Sequence, residues 1–295
     1  MKQSLKYDGP EVAVDCKCEL GEGVLWNPGQ SKVYWVDITK GRLYMYDTRL
    51  GRQELVYEGE NIGGFTIQRD GALLLFGEEG RVKQLEDGKV ETVVGGIQAE
   101  NGTRFNDVIA DPLGGVFCGT MPTDERPGRL YRLNSAGAVE LILDGVELPN
   151  GMGFSPDRST FYLTDTRSKR IYAFDYNGVT ADISNQRTLA YVPESSGHPD
   201  GLTVDSEGCV WSARWNGSCI VRHNPKGEVV GKIDIPTRKV TSASFGGEDY
   251  NELYISTAGG GDRPSEGELA GSLFKITFED VTGRPELTSS VMTGD

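Results

Sequence analysis

Short apolar runs recur along the chain, and each is soon interrupted by Gly, Asp, Asn or Pro. Apolar residues at helical spacing are hard to find, whereas alternating or continuous apolar stretches of strand length are common. This pattern predicts an all-β protein. The 40 glycines are scattered along the 295 residues, which suits many short strands joined by tight turns.

The predicted strands form a repeat: an apolar strand, a turn, a second strand rich in aromatic residues, and a third strand that ends in a polar turn. Six copies lie roughly 40 to 50 residues apart, which is the spacing of propeller blades. The second strands are predicted at Tyr34–Ile38, Leu73–Phe76, Val116–Thr120, Phe161–Asp165, Val210–Arg214 and Leu253–Ala258. The third strands follow from Gly41, Gly80, Gly128, Lys169, Ser218 and Gly271.

Closure into a ring is favoured because a small sheet cannot bury both of its faces alone. A ring also leaves only short, protected strand edges. We therefore predict a single six-bladed β-propeller domain over residues 1–295, in preference to a pair of β-sandwiches. The run EVAVDCKCEL, from Glu11, precedes the first complete copy. It is expected to add an outer strand to the last blade and so seal the ring.

Four polar residues occupy matching positions in their repeats. Glu22, Asn106, Asn150 and Asp200 each stand 10 to 12 residues before a predicted second strand. The first strand of a propeller blade lines the central channel, so residues at the start of these strands converge although they are distant in sequence. We expect the four side chains to meet at one rim of the channel.

Three of these residues suggest a metal site. Glu22, Asn150 and Asp200 offer two carboxylates and an amide oxygen, which suit Ca²⁺, Mg²⁺ or Mn²⁺, and Zn²⁺ also accepts carboxylate oxygen. A cation would neutralise carboxylates that otherwise repel one another. Asn-Gly and Asp-Gly are also common turn pairs, so Asn150 and Asp200 taken singly are explained by turns. Three ligand types at matching positions favour the metal.

The third copy begins with RFND, in which Arg104 and Asn106 are two residues apart and would share one side of a strand. A guanidinium beside an amide is suited to holding hydroxyl or carbonyl oxygens, although Arg104 can instead satisfy a blade carboxylate. The chain has only two histidines and no G-x-S-x-G, Walker or dinucleotide motif. Triad hydrolases and phosphate-cofactor enzymes are therefore disfavoured.

The net charge and the N-terminal sequence indicate which partners and which cellular compartment to expect. A formal net charge of -14 disfavours nucleic acid and anionic membranes, and no apolar run has membrane-spanning length. The N-terminus lacks a signal-like segment, so a cytoplasmic protein is expected, as a monomer or a homodimer. The five cysteines are expected to be reduced, with Cys16 and Cys18 on one face of a strand-like run.

At these residues the chain resembles the senescence-marker-protein/regucalcin/gluconolactonase family. The matching stretches keep the family's order over almost the whole chain and are ELGEGVLWNPGQSKVYWVDI, RFNDVIADPLGGVFCGTM, LPNGMGFSPDRSTFYLTD, HPDGLTVDSEGCVW and VTSASFGGEDYNELYISTA. The resemblance implies a six-bladed propeller with one catalytic divalent metal. Carried over by motif, it implies Glu22, Asn150 and Asp200 as metal ligands and Asp200 as the proton carrier.

The same resemblance implies that Arg104 and Asn106 contact a sugar. After GTM the family often has a Glu that touches the substrate, and here MPTDERPG follows, with Asp124 at the corresponding position and Glu125 next to it. The implied function is a metal-dependent hydrolase that opens sugar lactones to aldonic acids, with Asp200 as general acid and base. The alternatives are a non-enzymatic calcium-binding or regulatory propeller and a hydrolase of other esters.

Overall fold

The computed structural model describes residues 5–293 and contains six four-stranded antiparallel sheets, numbered here as blades 1 to 6. Blade 1 contains β2 (Gly21–Asn27), β3 (Lys32–Asp37), β4 (Arg42–Asp47) and β5 (Arg52–Glu58). Blade 2 contains β6 (Gly64–Ile67), β7 (Leu73–Phe76), β8 (Val82–Glu86) and β9 (Lys89–Val94). Blade 3 contains β10 (Phe105–Ala110), β11 (Val116–Thr120), β12 (Gly128–Leu133) and β13 (Val139–Val146). Blades 4 and 5 contain β14 (Pro149–Phe154), β15 (Thr160–Asp165), β16 (Arg170–Tyr176) and β17 (Ile183–Tyr191), and then β18 (His198–Val204), β19 (Val210–Trp215), β20 (Cys219–His223) and β21 (Val229–Asp234).

Blade 6 joins the two ends of the chain. It contains β22 (Lys239–Gly246), β23 (Glu252–Ala258), β24 (Leu273–Phe278) and, as its outer strand, β1 (Tyr7–Val14). β1 pairs antiparallel with β24, the last strand of the chain, with Val12 opposite Phe274. The predicted six-bladed propeller, sealed by an N-terminal strand, is confirmed. The sealing strand begins before Glu11 and ends at Val14, earlier than the predicted run.

Helical structure is limited to short connections. A single turn of α-helix, α1 (Arg263–Glu266), follows β23, and short 3₁₀ turns cover Ile38–Lys40, Gln98–Glu100, Glu194–Ser196 and Gly260–Asp262. Over residues 5–293 there is no helix with the length and apolar character needed to cross a bilayer. The predicted second strands agree with the observed ones within two residues at each end, because the turn residues that bound them act locally.

The hydrophobic core consists of six clusters, each shared by two neighbouring blades. Phe117 of blade 3 stacks on Phe161 of blade 4, with ring centroids 4.8 Å apart, and both side chains are fully buried. Across the closing seam, Trp26 of blade 1 stacks on Tyr254 of blade 6. The closing seam is therefore packed like the other interfaces between blades. Burial of each such side chain contributes about 1.5–3 kcal/mol to stability.

The segment that follows β24 spans the end of the ring at which the inner strands finish. Thr282 hydrogen-bonds Ser206 of blade 5, Ser289 hydrogen-bonds Thr66 of blade 2, and the backbone N–H of Ser290 donates to Gly114 in blade 3. This C-terminal segment therefore covers the axial channel from one side. The opposite end, where the inner strands begin, holds the predicted site residues.

Candidate functional site

Shifts in register mark the inner strands of five of the six described blades, always towards the end that carries the predicted site residues. They occur between Glu22 and Leu25, Phe105 and Val108, Asn150 and Met152, Pro199 and Leu202, and Val240 and Ser242. In blade 2 the pairing runs without a shift over Gly64–Ile67. A β-bulge re-aims side chains and is common beside active sites. The matching positions of the site residues in the sequence therefore correspond to a β-bulge that is repeated in these inner strands.

Asn150 and Asp200 meet at the axis from blades 4 and 5. Their exposed fractions are 6% and 3%, and the Asn150 side-chain Nδ2 donates to the Asp200 carboxylate. The same Nδ2 donates to the Thr166 hydroxyl at 3.1 Å. Burial raises the pKa of Asp200 well above its usual range, and the nearby carboxylate of Asp107 adds to that effect. Asp200 thus faces an amide and another acid.

The glycines that follow these two residues are required by close packing. Gly151 and Gly201 lie inside β14 and β18, so the interpretation of Asn-Gly and Asp-Gly as turn pairs is wrong. A Cβ atom on Gly151 would lie 2.5 Å from the backbone oxygen of Asp200, and one on Gly201 would lie 2.7 Å from that of Thr241. Only glycine lets the inner strands of blades 4, 5 and 6 approach this closely.

Glu22 approaches from blade 1. Burial raises the pKa of Glu22 well above its usual range, and the charges of Asp200 and Asp107 raise it further, while Arg104 opposes the shift. Carboxylates affect each other's pKa in this way only when they lie close together in a poorly solvated region. Glu22, Asn150 and Asp200 are therefore brought to one place from three separate blades.

Arg104 and Asn106 are also brought together, at the start of blade 3. Arg104 Nη1 donates to Asn106 Oδ1 at 3.1 Å and to the backbone oxygen of Phe105 at 2.8 Å. Asn106 Nδ2 donates to the backbone oxygen of Pro149 at 3.0 Å, next to Asn150. Burial lowers the pKa of Arg104, and the charges of Glu22 and Glu78 oppose that effect. A guanidinium thus lies beside the acidic cluster.

Asp124 lies at the exposed tip of the loop between β11 and β12, followed by exposed Glu125. The Thr123 hydroxyl accepts hydrogen bonds from the backbone N–H groups of Glu125 and Arg126, which forms a tight turn around Asp124. At the base of this loop, the backbone N–H of Met121 donates to the backbone oxygen of Arg104. The loop therefore adjoins the site at its base, and a substrate contact by Asp124 stays a prediction.

A third acid at the axis, Asp107, was missed by sequence reasoning. Burial raises the pKa of Asp107 to about 6. Its side chain lines a small axial cavity of about 40 Å³ together with Glu286 of the C-terminal segment. Asp107 is the last residue of the RFND motif, directly after Asn106. Adjacent residues on a regular strand point to opposite faces, so a regular strand would point Asp107 away from the channel. The bulge between Phe105 and Val108 breaks that rule.

The chemistry of the converging residues fits a hard divalent cation. Within residues 5–293 no group of three or more His, Cys, Asp or Glu side chains is arranged to hold a metal ion. Glu22, Asn150 and Asp200 supply two carboxylates and one amide, so they are a different kind of ligand set. Two buried carboxylates that repel each other are the arrangement that a divalent cation stabilises. Rotation of the Asn150 amide would present its oxygen, in place of Nδ2, to that cation.

The larger hollows lie elsewhere. One of about 550 Å³ lies between blades 6 and 1 and another of about 650 Å³ between blades 4 and 5. Neither is lined by any of the six predicted site residues. Size alone does not select a binding site, so the acidic axial site, with its shifted pKa values, is the stronger candidate.

Comparison with known proteins agrees with this geometry. Residues 20–259 match the family described as SMP-30/Gluconolactonase/LRE-like region. The chain belongs to this family. It is 47% identical to the pentonolactonase XacC of Haloferax volcanii over 95% of this chain and 98% of that protein. It is 33% identical to a regucalcin of Danio rerio, over 93% and 97% of the two chains.

Other relatives extend the comparison. A 6-deoxy-6-sulfogluconolactonase of Pseudomonas putida is 33% identical over 81% of this chain and 83% of that protein. The solved structure of a luciferin-regenerating enzyme superposes with a TM-score of 0.87 at 26% identity, covering 96% of this chain and all of that one. The family prediction is confirmed, and the lactonases among these relatives support the prediction of a sugar lactonase.

Proposed function

We propose that the protein is a divalent-metal-dependent hydrolase that opens sugar lactones to aldonic acids. The observation that supports this most strongly is the convergence of Glu22, Asn150 and Asp200 at the propeller axis, where poor solvation and neighbouring carboxylates raise the pKa values of Glu22 and Asp200. Unpaired buried charges are costly unless something neutralises them. Family membership supports the same function, since two of the relatives are named as lactonases.

Glu22, Asn150 and Asp200 are the proposed ligands of one divalent cation, with Ca²⁺, Mg²⁺, Mn²⁺ and Zn²⁺ as candidates. When bound there, such a cation supplies Lewis-acid polarisation of a lactone carbonyl. Asp200 is the proposed general base, which accepts a proton from the attacking water. Its buried position beside the Asn150 amide fixes the carboxylate, and the raised pKa suits a group that must take up and release a proton.

The substrate is held by residues at the start of blade 3. Arg104 and Asn106 are proposed to bind the hydroxyl groups of the lactone, because their donor and acceptor groups already face each other within 3.1 Å. The loop that carries Asp124 is proposed to cover the sugar from one side. One relative, at 47% identity, is named a pentonolactonase, so lactones of five-carbon aldonic acids are the first substrates to try.

A second candidate is a calcium-binding protein without catalytic activity. It is favoured by the regucalcin relatives, at 31 to 33% identity, and it needs the same three ligands. Arg104 and Asn106 distinguish the two, because a calcium buffer needs no guanidinium beside its ligands. Hydrolysis of other esters is a further alternative that would use the same metal.

The test is acid release in a pH-stat from pentono- and hexonolactones, compared with their spontaneous opening. Full activity is expected only with metal-loaded protein, and loss of at least about 100-fold is expected after chelation or in Asp200→Asn. Asp144→Asn, at an exposed carboxylate on β13, is the control and should retain full activity. Turnover that survives both chelation and Asp200→Asn would refute the mechanism, and cation binding without turnover of any ester would favour the calcium-binding alternative.

A further inference from the structure

Two neighbouring cysteines occupy the linker that closes the ring. Cys16 and Cys18 lie between β1 and β2, where the chain passes from the outer edge of blade 6 to the inner strand of blade 1. The sequence suggested a strand with both thiols on one face. Instead, β1 ends at Val14, and Lys17, between the two cysteines, has a left-handed backbone with φ 53°.

This turn changes what the two thiols can do. In an extended strand, Cα atoms two residues apart are separated by about 7 Å, which is at the limit of what a disulfide spans. A left-handed residue between them shortens that distance, and it is uncommon for a residue other than glycine. The turn therefore brings the two thiols within range of each other, so that each affects the pKa of the other.

The two thiols have different surroundings. Cys16 is half-buried, and its Sγ lies 3.1 Å from the backbone oxygen of Gly271. The neighbouring Cys18 thiol lowers the pKa of Cys16. Cys18 is only 1% exposed, and its neighbour Cys16 together with burial raises its pKa. Cys16 is therefore the more accessible of the pair, and it is the thiol that a peroxide in solution meets first.

We propose that Cys16 and Cys18 form a reversible oxidation site for hydroperoxides, in which Cys16 reacts first and Cys18 resolves. The Cys16 thiolate attacks the peroxide O–O bond, which takes up a proton and leaves a sulfenic acid and one hydroxyl product, water in the case of hydrogen peroxide. The Cys18 thiol then attacks that sulfur, its proton leaves with the departing hydroxyl as a second water, and the S–S bond forms. Two thiols are oxidised and one peroxide is reduced.

The backbone around the pair is already ordered, which keeps the two sulfur atoms together. The Cys18 N–H donates to Gly271 O at 2.9 Å, and the Gly260 N–H donates to Cys18 O at 2.8 Å. These bonds join the linker to the segment between β23 and β24. The other three cysteines, Cys118, Cys209 and Cys219, are buried within blades, so they serve as internal controls.

The test treats the folded full-length protein with hydrogen peroxide, blocks free thiols and digests with trypsin. Cleavage after Lys17 separates residues 7–17 from residues 18–32 in the reduced protein. The disulfide is expected to hold both in one covalent species that is 2 Da lighter than its reduced form and is released by a reducing agent. Oxidation of this pair is expected to be at least about tenfold faster than that of the internal-control cysteines.

Two variants test the order of reaction. In Cys18→Ser, a sulfenic acid should accumulate on Cys16 and be trapped by dimedone. In Cys16→Ser, Cys18 should react as slowly as the buried cysteines. The wild-type digest alone also decides the matter, whether or not the variants fold. Peroxide that converts Cys16 to sulfinic acid without joining the two peptides, or that oxidises all five cysteines at one rate, would overturn the proposal.

Discussion

The side-chain amide of Asn150 donates a hydrogen bond to the carboxylate of Asp200, although the two residues belong to different blades and are 50 positions apart. Each residue lies in a bulge of an inner strand, and each is followed by a glycine that lets the next strand approach. The contact therefore depends on two backbone features, the bulge and the glycine that follows it. Charge, packing and strand register are therefore linked at this contact.

Glu22→Gln is expected to separate cation binding from folding. The variant removes one of three neighbouring carboxylates that repel one another, so the cation-free protein should unfold at the same or a higher temperature than wild type. A ligand at 100 times its dissociation constant stabilises the folded state by about 2.7 kcal/mol. That stabilisation by Ca²⁺ should appear in wild type and be absent in Glu22→Gln, as measured by thermal unfolding with and without chelator.

Asp144→Asn, with the same change of charge on an exposed strand, should keep the full calcium shift. Equal calcium shifts in wild type and Glu22→Gln would contradict a role for Glu22 as a ligand. A large loss of stability of Glu22→Gln in chelator would contradict the repulsion that its raised pKa indicates.

Gly151→Ala is expected to destabilise the protein and to impair the site together. The added Cβ would lie 2.5 Å from the backbone oxygen of Asp200, so β14 and β18 must separate. Overpacking of this kind costs roughly 1–3 kcal/mol, measured as the free energy of unfolding in urea. Gly178→Ala is the matched control, because no atom lies within 4 Å of its added Cβ. Equal stability of the two variants would show that the inner strands are not in tight contact.

Arg126→Gln is expected to raise KM more than it lowers kcat. Arg126 Nη2 donates to the backbone oxygen of Ala99 at 2.9 Å and to the fully buried carboxylate of Glu100 at 2.5 Å, which holds the loop carrying Asp124. Release of the loop should weaken substrate binding by about fivefold, equivalent to about 1 kcal/mol, with kcat changed less than about twofold. Steady-state kinetics with the best lactone measure both.

Arg187→Gln provides the comparison. Arg187 lies on β17, the outer strand of blade 4, and makes an exposed ion pair with Asp175. It should leave both constants unchanged. A fall in kcat without a rise in KM would mean that the anchored loop acts in the chemical step and does not hold the substrate.

His223 is expected to make the protein sensitive to acid. It is buried in β20 beside Arg214, whose Nη2 lies 2.9 Å from His223 Nε2. Burial and the Arg214 charge lower the pKa of His223 from 6.5 to about 4. A histidine with a lowered pKa stabilises the fold fully above pH 6.5, and that contribution is lost as the pH falls through 4.

The lost contribution corresponds to about 3 kcal/mol. His223→Gln should therefore show a shallower fall in the free energy of unfolding between pH 6.5 and 4, whereas His198→Gln should follow wild type. Urea unfolding across this pH range provides the measurement. Parallel curves for wild type and His223→Gln would exclude His223 as the group responsible.

Much of the fold and part of the candidate site could be predicted from the sequence because their determinants are local. Turn residues and apolar runs set the strand boundaries, and the repeat brought Glu22, Asn150 and Asp200 to matching positions. The prediction of the closing strand was nearly right, since β1 overlaps the predicted run from Glu11. A repeat that must close into a ring converts equal position along the chain into proximity in space.

What could not be predicted depends on departures from regular strands. Asp107 was overlooked because the bulge that brings it to the axis leaves no signature in residue pattern. Gly151 and Gly201 look like turn residues, and only the neighbouring strand shows why glycine is needed. The left-handed conformation of Lys17 breaks a strand that the apolar pattern would continue. The path of the C-terminal segment depends on contacts with distant blades, such as Ser289 with Thr66.

The most direct test of a metal held by Glu22, Asn150 and Asp200 is anomalous diffraction from crystals soaked with Mn²⁺. One strong anomalous peak is expected on the propeller axis, with carboxylate oxygens of Glu22 and Asp200 and the amide oxygen of Asn150 at about 2.0–2.4 Å from it. A fully soaked crystal with no peak at that position, or with its peaks bound only by other residues, would contradict the proposed metal centre.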